Sequence, residues 1–199
     1  MLNKRSNIKK PIIIFTGPSG VGKGTIEKIL FENKQLRLKL SVSATTRAPR
    51  VGEIDGVHYF FISKEDFESK IKNNELLEYN HHFDNYYGTL FSEIDSIHTK
   101  GLVPFLEIET RGAKLVLQNK ENQKKYNIIT VFILPPSFEE LKQRIIGRNT
   151  ETQESIDKRL EKAKQEMAEK DIFKYHVIND IPERAASEIE ELLLKELYE

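Results

Sequence analysis

The sequence predicts an α/β fold, a parallel β-sheet covered by helices on both faces. Three observations predict it. Short β-branched runs alternate with stretches of helical periodicity along most of the 199 residues. The runs "PIIIFT", "LVPFLEIE" and "NIITVFIL" are almost wholly apolar rather than alternating, as strands buried on both faces require. The first of them ends in a glycine-rich turn, "GPSGVGKGT", that leads directly into an amphipathic segment.

Pro11 opens the first strand, and Ile26, Ile29 and Leu30 give "TIEKILFENK" a single apolar face. "LKLSVSATT" reads as one extended run. It leads into "RAPRVGEIDGV", where proline, glycine and charge mark an exposed loop. "YFFI" reads as a strand, and Ser63 with Asp66 three residues later signals a helix start before Phe67 and Ile71. "ELLEYNHHF" reads as extended, and Ser92 to Lys100 as a short helix stopped by Gly101. Pro104 argues against a central place for "LVPFLEIE", because proline has no N–H for the ladder. A helix from about Ala113 precedes "NIITVFIL", and Ser137 with Glu140 forms a capping-box pattern for the next helix. Thr152 to Lys170 is a charged helical stretch. "YHVIN" is a last strand, and "PERAASEIEELLLKELY" a closing amphipathic helix with proline near its start. The region from about Val42 to Ile97 breaks the strand–helix rhythm and reads as an inserted subdomain.

Composition narrows the function. Basic and acidic side chains cancel, 31 against 31. That balance argues against a nucleic-acid partner and for a small polyanion met by a local cluster. The chain has no cysteine, which excludes disulfides, thiolate metal sites and thiol catalysis. The apolar run behind the basic "MLNKRSNIKK" is too short for a signal or membrane segment, so a cytoplasmic location without a membrane partner is expected.

"GPSGVGKGT" has the features of a phosphate-binding loop. Gly17, Gly20 and Gly22 let backbone N–H groups turn toward an anion at the start of a helix, and Lys23 brings a mobile charge to the β- and γ-phosphates. The usual hydroxyl that follows the lysine is replaced by Gly24, and the first hydroxyl comes one residue late, at Thr25. In "SVSATTRAPRVGEIDGVHYF", Arg47 and Arg50 flank a proline and Tyr59 follows; two guanidinium forks and a phenol can grip a dianionic phosphate. Two arginines alone read rather as a solvated basic loop. Glu107 and Glu109 lie two apart at a strand end, where acids either orient hydrated Mg²⁺ or a substrate amine, or simply face solvent. "NKEN" at Asn119 to Asn122 lacks the final aspartate of a GTPase guanine motif and follows a helical stretch, so a GTPase is rejected. The pair His81-His82 reads as surface rather than as a metal site.

Taken together, "GPSGVGKGT", "SVSATTRAPRVGEIDGVHYFF", "NYYGT" and "PPSFEELKQRIIGRNTETQESIDKRL" resemble the guanylate kinase family, over nearly the full chain and in the family's order. The resemblance implies a P-loop NTPase-type parallel sheet sandwiched by helices, with an inserted NMP-binding subdomain and a helical lid. It implies one domain over 1–199, with a core of about 8–41, 98–135 and 171–199. The NMP-binding part covers about 42–97 and the lid about 136–170. The implied activity is Mg²⁺-dependent transfer of the ATP γ-phosphoryl group to GMP. The ATP site would be Gly17, Pro18, Ser19, Gly20, Val21, Gly22, Lys23, Gly24 and Thr25, with Asn179 near the adenine. Arg47, Arg50, Tyr59 and Tyr87 would hold the GMP phosphate. Glu78, Ser43 and Thr89 would face its base, and Glu53 and Glu109 would complete the set around GMP. Arg144, Arg148 and Arg159 would join Lys23 and Arg47 around the transferring phosphate.

A carboxylate suits guanine, which presents N1–H and N2–H₂ donors where adenine has no donor at N1. Read without the resemblance, Glu78 is a surface acid. The family usually has Asp at position 109 and Gln at 111, where this chain has Glu109 and Arg111. With Gly24 in the hydroxyl position, Mg²⁺ is expected mainly on phosphates and water, with Thr25, Glu107 and Glu109 as protein candidates. Guanylate-kinase-like interaction domains and kinases for another base are the alternatives. The first typically lose the loop residues kept here, and Glu78, Ser43 and Thr89 argue against the second. Oligomeric state is not legible.

Overall fold

The structure, a computed structural model, describes residues 9–82, 84–147 and 153–199. Two sheets organise them. The larger has five strands, all parallel, in the order β2-β7-β1-β8-β9, from Leu38–Leu40, Val103–Glu107, Lys10–Thr16, Tyr126–Leu134 and Tyr175–Ile178. β1 is central and buried on both faces, which accounts for its unbroken apolar run. Ile13 and Phe15 face one core, shared with α1 (Lys23–Glu32), α6 (Phe138–Ile146), α7 (Gln153–Ala168) and α8 (Pro182–Tyr198). Ile12 and Ile14 face the other, shared with α3 (Phe91–Thr99) and α4 (Thr110–Gln118). The expected parallel sheet covered on both faces is therefore present.

The smaller sheet has four strands in the order β4-β3-β6-β5, from Phe60–Phe61, Ala44–Thr45, Asn85–Leu90 and Leu76–His82. Helix α2 (Lys64–Lys72) lies on it, with Phe67 stacked on Tyr86 at 5.1 Å. The end signals are where the sequence puts them. Ser63 accepts from the Asp66 N–H, Ser137 accepts from the Glu140 N–H, and Gly101 follows α3 with φ +67°. Asn119 caps the short helix α5 (Lys120–Lys125), so "NKEN" is a helix start.

Three expectations are corrected. "LKLSVSATT" is not one strand: Leu38–Leu40 pairs in the large sheet, Ala44–Thr45 in the small one, and the chain crosses between them. The helix expected from Ala113 begins at Thr110, because the chain turns immediately after β7. Most informative, the proline-bearing strand is interior, between β2 and β1. Val103 donates to Arg37 and Phe105 accepts from Ser41, so these residues bond toward β2. Pro104, between them, therefore faces β1, where its missing N–H leaves the Pro11 carbonyl without a ladder donor. His98 of α3 supplies one, with Nε2 at 2.9 Å from that oxygen. A buried carbonyl without a partner is costly, and here a side chain fills the gap.

Candidate active site

The glycine loop joins β1 to α1 at the C-terminal edge of the large sheet. Gly22 is the N-cap of α1 with φ +99°, and a Cβ there would lie 2.5 Å from Asn179 Nδ2, so glycine is required twice over. Asn179 is buried and acts as a strut beneath the loop. Its Nδ2 donates to the Val21 carbonyl at 2.7 Å and its own N–H to Leu134 at 2.8 Å. Arg144 reaches the same place, donating to Val21 at 3.2 Å and Asn179 at 3.1 Å, with Glu140 at 3.6 Å. Lys23 lies across its own loop, donating to the Gly17 carbonyl at 2.9 Å and 3.9 Å from Glu107. Gly24 and Thr25 are exposed on the first turn, and nothing lies within 4 Å of a Cβ built at Gly24.

In front of the loop lies a cleft of about 950 Å³ lined by Gly17, Ser19, Lys23, Glu107, Glu109 and, from α7, Arg159 and Lys162. It adjoins a smaller pocket of about 300 Å³ walled by Ser43, Tyr59, Glu78, Tyr87, Gly88, Glu109 and Gly112. Tyr59, Glu107 and Glu109 line both, so the two spaces meet at the end of β7.

Glu78 is the most perturbed group of the smaller pocket. It is 7% exposed, accepts from Thr89 Oγ1 at 2.7 Å, and approaches α4 where Gly112 leaves room. A Cβ at position 112 would sit 2.6 Å from its Oε2. Burial raises its pKa from 4.5 to about 7, with the Glu109 charge adding to the rise and the Thr89 bonds opposing it. At the pocket mouth, Arg47 lies 5.4 Å over the Tyr59 ring and pairs with Glu53 at 2.8 Å. Glu53 also accepts from the Arg50 N–H at 2.7 Å. The Arg47 guanidinium and that N–H hold Glu53 down at about 2. Glu53 thus braces the arginine loop, while the Arg50 residue itself is exposed.

Of the residues expected from the sequence, Ser43, Arg47, Tyr59, Glu78, Tyr87, Thr89 and Glu109 come together in or at the smaller pocket. Ser19, Lys23, Glu107 and Arg159 come together in the larger cleft. Arg144 and Asn179 lie behind the loop. Arg148 falls outside the described residues. His81 and His82 are exposed, and among the described residues no group of three or more acids and histidines could hold a metal by itself.

Sequence reasoning missed four residues. Gly112 makes space for Glu78. Glu27, behind Lys23, has its pKa raised to about 7 by burial first and by the Glu107 charge second, and its Oε1 is buried without a hydrogen bond. Lys162 donates to Glu109 at 2.7 Å. Glu166 is raised chiefly by burial, with Lys162 and the Ser19 N–H opposing. The only signal for the last two was their i,i+4 spacing, which exposed helices share.

The guanylate kinase family model matches residues 8–196. A guanylate kinase of Mycoplasmopsis pulmonis is 59% identical over 187 residues, covering 94% of this chain and 95% of the relative. One from Mycoplasmopsis synoviae is 56% identical, with 98% of each covered. The crystal structure of guanylate kinase from Anaplasma phagocytophilum superposes with a TM-score of 0.70 at 30% identity, covering 96% of this chain and 88% of that one. A phosphate loop facing a second pocket built around a buried carboxylate, and this similarity over nearly the whole length, lead to one conclusion: the chain is an enzyme that belongs to the guanylate kinase family.

Proposed function

We propose that this enzyme transfers the γ-phosphoryl group of ATP to GMP, giving ADP and GDP, with the donor in the larger cleft and the acceptor in the smaller pocket. The observation that carries the acceptor is Glu78. A carboxylate buried at the pocket floor meets guanine's N1–H and N2–H₂ donors, while adenine would leave it unsatisfied. Ser43 and Thr89 flank it. Arg47, Tyr59 and Tyr87, with Arg50 from the loop above, receive the phosphate, and Glu53 orients Arg47.

On the donor side the loop from Gly17 to Thr25 wraps the β- and γ-phosphates through backbone N–H groups. Lys23 leaves the Gly17 carbonyl for the phosphate. Arg159, together with Arg148, neutralises charge on the transferring group, and Arg144 acts from behind by holding Val21 and Asn179. No general base is needed, because the acceptor is already a phosphate oxygen anion; catalysis is positioning and electrostatics. Residues 42–97 serve as the NMP-binding part and 136–170 as the lid, closing to exclude water.

Mg²⁺ is the cofactor of this reading. The residues fit an ion held mainly by nucleotide and water: the orphaned Glu27 oxygen and the Glu107 carboxylate stand beside Lys23, Glu109 lines the same cleft, and the Thr25 hydroxyl is exposed on the first turn of α1. When bound, the ion would neutralise phosphate charge. A cytoplasmic location, with ATP and GMP as small-molecule substrates and neither nucleic acid nor membrane as partner, belongs to the same reading.

The test is a coupled ADP-release assay with GMP, AMP, CMP and UMP as acceptors. GMP should turn over fastest. Faster turnover with AMP would refute the guanine assignment, and none with any acceptor would favour an interaction domain.

A further inference from the structure

Three carboxylates, Glu78, Glu107 and Glu109, line the acceptor pocket, and no lysine or arginine lines it with them. Glu109 sits at the N-cap of α4 but makes no side-chain cap, so its carboxylate is free to serve elsewhere. The balancing cation comes from across the cleft. Lys162, on α7, places its ammonium 2.7 Å from Glu109 Oε1 and 4.0 Å from Glu166. Lys162 lines the donor cleft and not the acceptor pocket. The helix that overhangs the phosphate loop therefore supplies part of the acceptor site's electrostatics.

We propose that Lys162 is a positioning residue for the acceptor: by neutralising and orienting Glu109 it completes the guanine pocket only when α7 lies over the donor loop. This rests on GMP being the acceptor. With Oε1 held by Lys162, the second oxygen of Glu109 is left to accept from the guanine amine. The repulsion between Glu109 and Glu78 is offset at the same time.

Both side chains are half-exposed, so the pair contributes little to folding, and its effect belongs in kinetics. The experiment measures KM for GMP and for ATP, and kcat, in wild type, Lys162→Met, Lys162→Arg, Glu109→Asp and the Lys162→Met/Glu109→Asp double variant. Lys162→Met should raise KM for GMP about tenfold while leaving KM for ATP within about twofold, a coupling of ordinary size. Lys162→Arg should restore most of it. Glu109→Asp keeps the charge but withdraws it by one methylene, and the double variant should be no worse than the worse single. A KM for GMP that Lys162→Met leaves unchanged would overturn the proposal, as would equal rises for both substrates. Additive losses, or no rescue by arginine, would also overturn it. Wild type that fails to phosphorylate GMP overturns the functional reading and this proposal with it, a result visible before any variant is made.

Discussion

Replacing Glu78 by glutamine should make the nucleotide-free protein more stable at pH 8 and much less so at pH 5. Burial raises the carboxyl from 4.5 to about 7, so the folded state holds the proton more tightly than the unfolded chain. Stability linked to that proton is fully present below pH 4.5 and is lost as pH rises through about 7. The full difference corresponds to roughly 3 kcal/mol at pH 8, and about 1 kcal/mol of it remains at pH 5. Glutamine carries no charge to desolvate and can still accept from Thr89 Oγ1. Glu78→Gln should therefore gain up to about 3 kcal/mol at pH 8, read by urea unfolding at both values. The same variant turns an amide toward guanine's donors and should lose about 100-fold in GMP affinity by calorimetry. In wild type, affinity for GMP should fall about tenfold per pH unit below 7, as the carboxyl takes up its proton. A variant destabilised equally at pH 5 and pH 8 would show that no charge burial is relieved. Unchanged GMP affinity would remove Glu78 from the base site.

Gly112→Ala should push the Glu78 carboxylate out of position, because the new methyl would lie 2.6 Å from Oε2. KM for GMP should rise about tenfold with KM for ATP unaltered, and steady-state kinetics that leave KM for GMP in place would refute the contact's importance. Gly24→Ser enters open space, so it should fold normally and gain about 0.5 kcal/mol from helix propensity. If Mg²⁺ lacks a protein hydroxyl here, the new one should lower the Mg²⁺ concentration for half activity, and a higher requirement would count against the proposed metal arrangement.

Most of what is local in this fold was legible. Capping at Ser63 and Ser137, the stop at Gly101 and the buried runs of β1 and β8 depend on neighbouring residues, and each stood where the pattern put it. The errors are non-local. Apolar periodicity runs smoothly through "LKLSVSATT" and cannot tell that the chain leaves one sheet for another. Pro104 looks like an edge residue until His98 is known to supply the missing donor. The site divides the same way. The phosphate loop announces itself because loop, lysine and helix are contiguous. Glu78 owes its character to Thr89 and Gly112, 11 and 34 positions away, and only the family resemblance singled it out. Lys162 and Glu166 sit in a run of charges indistinguishable from a solvated face.

The bond from His98 to Pro11 also fastens the connection between the two sheets. Helix α3 is the return path from the small sheet, and this bond rivets it to the central strand of the large one, with Ile94 and Ile97 buried along its length. On the outgoing side, Ser41 is tied to Phe105. Between these anchors the chain enters the small sheet past Val42, whose N–H donates to Glu93 of α3 at 3.3 Å, and leaves it at the Leu90–Phe91 junction. Any displacement of the small sheet against the large one must also disturb Leu77 of β5, which is buried in the core shared by α3 and α4.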